Sequence, residues 1–213
     1  MSEYLEIYDL KNKFVGVVER NKFYDQIRKE YKETGKISKK IKSIRVIIMN
    51  SQGRIYLQKR SKTKAQNPGL YDKTVGGHVP AGYSWEMAVI KECTEELGLP
   101  VAIVNEKEFL LAIRSTDLSV VGLLKVTEKN NNFLSFRKDK LGDFIQPYIT
   151  TWYLGYYDGN LRFKDGEAIG LETFSVKELE QEIKENPENF TEDIKYVFKK
   201  YKKYLVPLKN FNN

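Results

Sequence analysis

Apolar positions recur along the chain with two different periods, and the switches between them divide it into elements. Residues 4–8 (Tyr-Leu-Glu-Ile-Tyr) and 13–18 (Lys-Phe-Val-Gly-Val-Val) are strand-like runs separated by polar residues, the pattern of a hairpin. Phe23, Ile27 and Tyr31 then fall four apart in a charged background, which predicts a helix over residues 21–34 that Gly35 stops. Residues 41–49 are strongly apolar and β-branched, residues 50–53 turn, and residues 54–60 alternate, with Ile55 and Leu57 on one face and Tyr56 and Gln58 on the other. A glycine- and proline-bearing loop, Gly76 to Gly82, leads into a second helix over residues 85–97. Trp85, Val89, Cys93 and Leu97 form its inward stripe, Ser84 its N-cap and Gly98 its C′ residue.

Beyond that helix the pattern predicts strands at residues 100–104 and 108–113, flanking a turn at Asn105-Glu106. Residues 120–126 fit a strand or a short helix, and residues 129–143, with Asn130-Asn131-Asn132 as a loop, read as an insertion or lid. Residues 150–157 are a strand closed by a turn at residues 158–160. Ser175 and Glu178 make a capping box for a helix over residues 176–184, which Asn186-Pro187 breaks. Thr191 stands where it would cap a last amphipathic helix carrying Tyr196, Val197, Lys200 and Tyr204.

The chemistry concentrates on the second helix. Glu92 and Glu96 are four apart and Glu95 is three beyond Glu92, so three carboxylates converge over one turn. Like charges at this spacing destabilise a helix by roughly 0.2–0.5 kcal/mol per pair. A hard divalent cation would turn the repulsion into attraction, and oxygen-only ligation suits Mg²⁺. A solvated acidic helix end is the alternative for these residues taken alone.

The segment resembles the signature of the Nudix hydrolases, Gly-x5-Glu-x7-Arg-Glu-apolar-x-Glu-Glu-x-Gly-apolar: Gly77 opens it, and Glu92, Cys93, Glu95, Glu96, Gly98 and Leu99 fall on its later positions. Tyr83 stands where the family has its first Glu, and Lys91 where it has Arg; in the family those two are partners that orient the helix and loop. The order of hairpin, linker helix, strand, turn, Leu57-Gln-Lys-Arg-Ser61, Asn67-Pro-Gly-Leu-Tyr-Asp72 and Gly76-Gly-His78 is similar to the branch that includes isopentenyl diphosphate isomerase and its hydrolase-like relatives. The resemblance implies an α/β fold, an α/β/α sandwich around a mixed sheet extended by the N-terminal hairpin. It gives residues 1–36 as that extension and 37–213 as the Nudix domain.

It also implies Mg²⁺, with Mn²⁺ as a substitute, held by Glu92, Glu95, Glu96 and the Gly76 carbonyl, and hydrolysis of a diphosphate linkage in a small molecule. Glu96, Glu95 and Glu167 are the candidate bases; Glu167 matches a late acid that the family brings from outside the signature, and a polar turn residue is its other reading. Lys59, Arg60 and Arg114 are candidate phosphate contacts, though each is also an ordinary surface cation. His78 could touch phosphate or a metal-bound water, or hold its loop through a hydrogen bond to backbone. Isomerisation is disfavoured, because Gly76 occupies the place of the isomerases' catalytic Cys and His78 is the chain's one histidine.

Composition narrows the setting. The 213 residues carry 41% hydrophobic and 31% charged side chains, enough for one substantial core. The single cysteine, Cys93, is expected to pack rather than react and permits no internal disulfide. No signal pattern opens the chain and no apolar run is long enough to span a membrane, so a cytoplasmic setting is expected. A net charge of +7 favours anionic ligands; RNA is a weaker candidate than a small phosphate ester, and a homodimer is compatible with the family. Tyr83 and Lys91 motivate a rival reading, a Nudix fold that binds nucleotide or RNA without turnover.

Overall fold

The computed structural model describes residues 2–162 and 168–208. The first two strands, β1 (Tyr4–Asp9) and β2 (Phe14–Glu19), pair as the expected antiparallel hairpin. Helix α1 (Arg20–Thr34) follows and ends on Gly35, whose φ of 69° is left-handed and whose N–H donates to the Tyr31 carbonyl. Among the described residues, β3 (Lys39–Met49) is the strand on which the others are assembled. It pairs antiparallel with β1, β4 (Ile55–Arg60) and β6 (Val75–His78), and parallel with β9 (Phe144–Tyr156). The short β5 (Tyr71–Asp72) and late β10 (Ala168–Phe174) flank β4, while β8 (Gly122–Arg137) joins β9 to β7 (Val101–Ile103).

Both faces of this mixed sheet are covered, which is why β3 reads as a nearly continuous apolar run. On one face Ile44, Val46 and Ile48 pack with Ala88, Val89, Cys93 and Leu97 of α2 (Trp85–Leu97). On the other, Ile41, Ile47 and Met49 join the core formed with α1, α3 (Phe109–Ser115), α4 (Val176–Glu185) and α5 (Glu192–Tyr201). The hairpin and α1 contribute Leu5, Ile7, Phe23 and Ile27 to that second core.

Two expectations are corrected and a third is refined. Residues 108–113 form helix rather than strand: the Asn105 side chain accepts from the Glu108 N–H at 3.0 Å, and the helix needs to bury only Phe109. Residues 129–143 are not a lid; through Arg137 they continue β8, with Phe133, Ser135 and Arg137 turned inward and Leu134 and Phe136 outward. Thr191 takes the N-cap position of α5 as expected, but its side chain makes no capping bond; its hydroxyl donates to the Asp72 carboxylate at 2.9 Å.

Candidate active site

Strand β6 and helix α2 set up the site. Gly76 and Gly77 sit opposite Arg45 and Ile44 of β3, and the chain then turns into α2, whose N-terminus Ser84 caps by accepting from the Met87 N–H. A Cβ on Gly77 would lie 2.4 Å from the Glu92 carboxyl carbon, so the bare glycine is what lets α2 lay Glu92 against β6. Gly98, at φ 62°, ends the helix in the left-handed region.

A cavity of about 480 Å³ opens beside this junction. Glu92, Glu95 and Glu96 line one side, with Gly76, Gly77 and His78 next to them. Their environments differ. Glu96 is buried, and one carboxylate oxygen accepts from the Gln58 amide at 3.0 Å. Glu92 is nearly buried, and desolvation pushes its carboxyl up to about 7, with help from Glu3 and Glu95 and against the pull of Lys91. Glu95 is mostly exposed. The Lys91 ammonium bridges the pair, 3.2 Å from a Glu92 oxygen and 2.8 Å from a Glu95 oxygen. Tyr83 has its ring at the surface. The supporting Glu–Arg pair of the family signature is thus replaced here by a lysine held on two of the three acids.

Among the described residues no three His, Cys, Asp or Glu side chains stand close enough together to make a finished metal cluster. The donor set nevertheless suits a hard cation: it is all-oxygen, lies along one turn of α2 at the cavity, and includes a carboxyl that burial makes reluctant to ionise. A cation already placed between Glu92 and Glu95, as Lys91 is, shows that their oxygens can share one.

Other candidates scatter. Arg60 lines the cavity and is fixed by the Gln66 carbonyl and by Asp72 at 3.3 Å. Lys59, its neighbour on β4, lies with its ammonium 3.6 Å from the centre of the Tyr71 ring and does not line the cavity. Arg114 is exposed on α3 and is also outside the lining. Glu167 lies outside the described residues. His78 bonds through Nε2 to the Tyr24 hydroxyl at 2.9 Å and stacks on Tyr148; burial, together with Arg20, Arg137, Arg45 and Lys73, keeps it neutral. Its ring therefore meets another side chain rather than backbone. Cys93 is fully buried and burial raises its thiol, which suits packing and not nucleophilic attack.

The floor of the cavity holds residues that the pattern along the chain did not single out. Arg45, on β3, donates to Asp193 at 2.9 Å and to Ser43 and Thr150, and is walled by the rings of Phe133, Tyr148 and Trp152. Lys73 reaches both Asp72 and Asp193, and Arg137 donates to the Tyr148 hydroxyl. Burial alone would raise the Asp193 carboxyl, but Arg45, Lys73 and Arg137 hold it well below the usual range. An arginine inside the β-branched run of β3 was the available signal.

Helix α2 with its glutamates, the glycine strand beside it and the sheet sandwiched between helices define a Nudix-type architecture. A model of the NUDIX domain matches residues 39–194, and the chain belongs to the Nudix family of pyrophosphohydrolases. It is 30% identical over 147 residues to an uncharacterized Nudix hydrolase of Nostoc, covering 68% of this chain and 79% of that one. It is 25% identical over 146 residues to isopentenyl-diphosphate Delta-isomerase of Serratia proteamaculans, covering 68% of each. The crystal structure of a Deinococcus radiodurans protein superposes with a TM-score of 0.62 at 17% identity, covering 93% of this chain and 98% of that one, a likeness of fold. Among the described residues no helix is long and apolar enough to cross a membrane.

Proposed function

We propose that the protein is a Mg²⁺-dependent hydrolase of a diphosphate linkage in a nucleoside diphosphate derivative or related small phosphoanhydride. The observation that carries this reading is the polarity of the cavity, with three glutamates on one wall and arginines on its floor. Glu92, Glu95, Glu96 and the Gly76 carbonyl are the residues that would hold the ion, with Mn²⁺ as a substitute. Magnesium bound there would supply charge neutralisation and a more acidic water.

The chain's own groups do the rest. Arg60 and the floor arginines bind and orient phosphate oxygens through charge-assisted hydrogen bonds. Glu96, held in place by the Gln58 amide, is the carboxylate best placed to take a proton at a fixed position. Glu95, on the same wall but mostly exposed, is the alternative, and Glu167 remains a proposed contributor from the family pattern alone. The carbon chemistry of an isomerase lacks its groups: Gly76 precedes Gly77-His78 and brings no thiol.

The test is product release from a panel of nucleoside diphosphate derivatives, with 5′-triphosphorylated RNA included, in Mg²⁺ and beside Glu96→Gln. Turnover of one substrate class, lost in the variant, is expected. Nucleotide or RNA binding with no turnover would favour the rival binding-protein reading; RNA binding should then weaken steeply with salt.

A further inference from the structure

The N-terminal strand is fastened along the loop that leads into α2. The Ala81 N–H donates to the Tyr4 carbonyl at 2.8 Å, Leu5 bridges to Pro80, and the Glu6 carboxylate accepts from the Gly82 N–H at 3.3 Å. These ties follow β1 residue by residue, so whatever fixes the start of β1 also fixes residues 80–82. Glu3 stands immediately before that start. Its carbonyl accepts from the Arg20 N–H at 2.8 Å and its carboxylate from the Arg20 guanidinium at 2.9 Å, which fastens it twice to the first residue of α1.

Both residues line the cavity together with His78, Glu92 and Glu95. Beyond the effect of burial, Arg20 helps keep His78 neutral and Glu3 helps hold the Glu92 proton, so the pair faces β6 and α2 at once. The Tyr83 ring lies at the surface and the Lys91 ammonium rests on Glu92 and Glu95, so the tie from the approach of α2 to a neighbouring strand falls to the N-terminal extension. The Arg20 and Glu3 side chains are 46% and 22% exposed, and an ion pair that open to solvent adds little to global stability. Held through backbone and side chain beside the acidic wall, it is placed to orient the site rather than to stabilise the fold.

We propose that Glu3 and Arg20 are a positioning pair for the active site: together they clamp the loop of residues 79–82 and set where Glu92 presents its carboxylate to the ion. The N-terminal extension is then a working part of the site. Its effect on the ion rests on the hydrolase reading, whereas the clamp itself is read without metal or turnover. Hydrogen exchange of the full chain is followed by mass spectrometry in EDTA; Mn²⁺ is then titrated into metal-free protein and the free ion counted by its EPR signal. In Glu3→Gln and in Arg20→Gln, peptides spanning residues 79–83 should exchange about tenfold faster and Mn²⁺ should bind about tenfold more weakly, the scale for groups that orient metal ligands. Urea midpoints should hold. The double variant should be no worse than either single one, because the two residues act as a unit. The reversed pair, Glu3→Arg with Arg20→Glu, should restore slow exchange, and it decides the matter if a single variant fails to fold. Arg54→Gln breaks an exposed ion pair with Glu178 outside the cavity lining and should change neither readout. Unchanged exchange at residues 79–83 in Glu3→Gln, single effects that add, or a reversed pair that exchanges as fast as the single variants would each overturn the clamp. So would Mn²⁺ binding weakened by Glu3→Gln but tightened by Arg20→Gln, since the two would then act through net charge alone. Exchange as expected in a protein that binds no Mn²⁺ would uphold the clamp and sink the metal-dependent hydrolase reading.

Discussion

Glu92→Gln separates what the acidic wall does for stability from what it does for chemistry. The wild-type carboxyl is held near 7 in the folded protein against an ordinary 4.5, chiefly by burial. A raised carboxyl means that the folded state keeps its proton longer than the unfolded chain does. Its contribution to stability is therefore complete below about 4.5 and lost as pH rises through about 7. The full shift corresponds to about 3 kcal/mol, of which about 2 kcal/mol is lost between pH 5.5 and 8.5. Gln resembles the protonated acid and has no such loss. Urea unfolding in EDTA at both pH values should show the variant gaining about 2 kcal/mol on the wild type across that interval. Mg²⁺ at pH 8.5 should raise the wild-type midpoint more than the variant's. A stability difference that stays flat with pH, or a variant less stable at pH 8.5 than at 5.5 relative to wild type, would refute the burial argument.

Lys91 holds two of the proposed metal ligands, so Lys91→Met should tighten Mg²⁺ binding a few-fold at pH 8.5, the scale of one partly exposed ion pair. Weaker binding in isothermal titration would mean that the lysine supports the site rather than competes for it. Gly77→Ala places a methyl against the Glu92 carboxyl, and should lower kcat/KM at least tenfold while costing about 1–3 kcal/mol of stability; unchanged kinetics would detach Glu92 from the reaction. Asp193→Ala strips Arg45 and Lys73 of their shared carboxylate and should destabilise the protein by about 3–5 kcal/mol in urea melts. A loss under about 1 kcal/mol would show that the floor cations rely on other partners.

The legible parts of the chain were those whose local chemistry agrees with their burial. Helix α2 has Ser84 and Gly98 at its ends and an uninterrupted stripe between them, and α4 has its Ser175–Glu178 capping box. Residues 108–113 misled because a short apolar run fits strand and helix equally, and Leu110 and Leu111 remain exposed once the helix forms. In β8 the inward positions after Phe133 are Ser135 and Arg137, buried in a polar network, while Leu134 and Phe136 point outward. The hydrophobic alternation is inverted there, so a core-facing strand has the look of a solvated loop. The same network hid half the site. Arg45, Lys73 and Arg137 come from three separate strands or loops, and only the sheet brings them onto Asp193. Glu92, Glu95 and Glu96 were easy to single out because one helical turn already places them together.

The most direct test of the central claim is where water's oxygen goes. The best-used diphosphate of the panel is turned over with Mg²⁺ in ¹⁸O-labelled water and the products are weighed by mass spectrometry. Hydrolysis predicts one labelled oxygen in a phosphate-bearing product for each turnover, abolished by Glu96→Gln. An unlabelled, isomerised product, or binding of every panel member with no product at all, would contradict it.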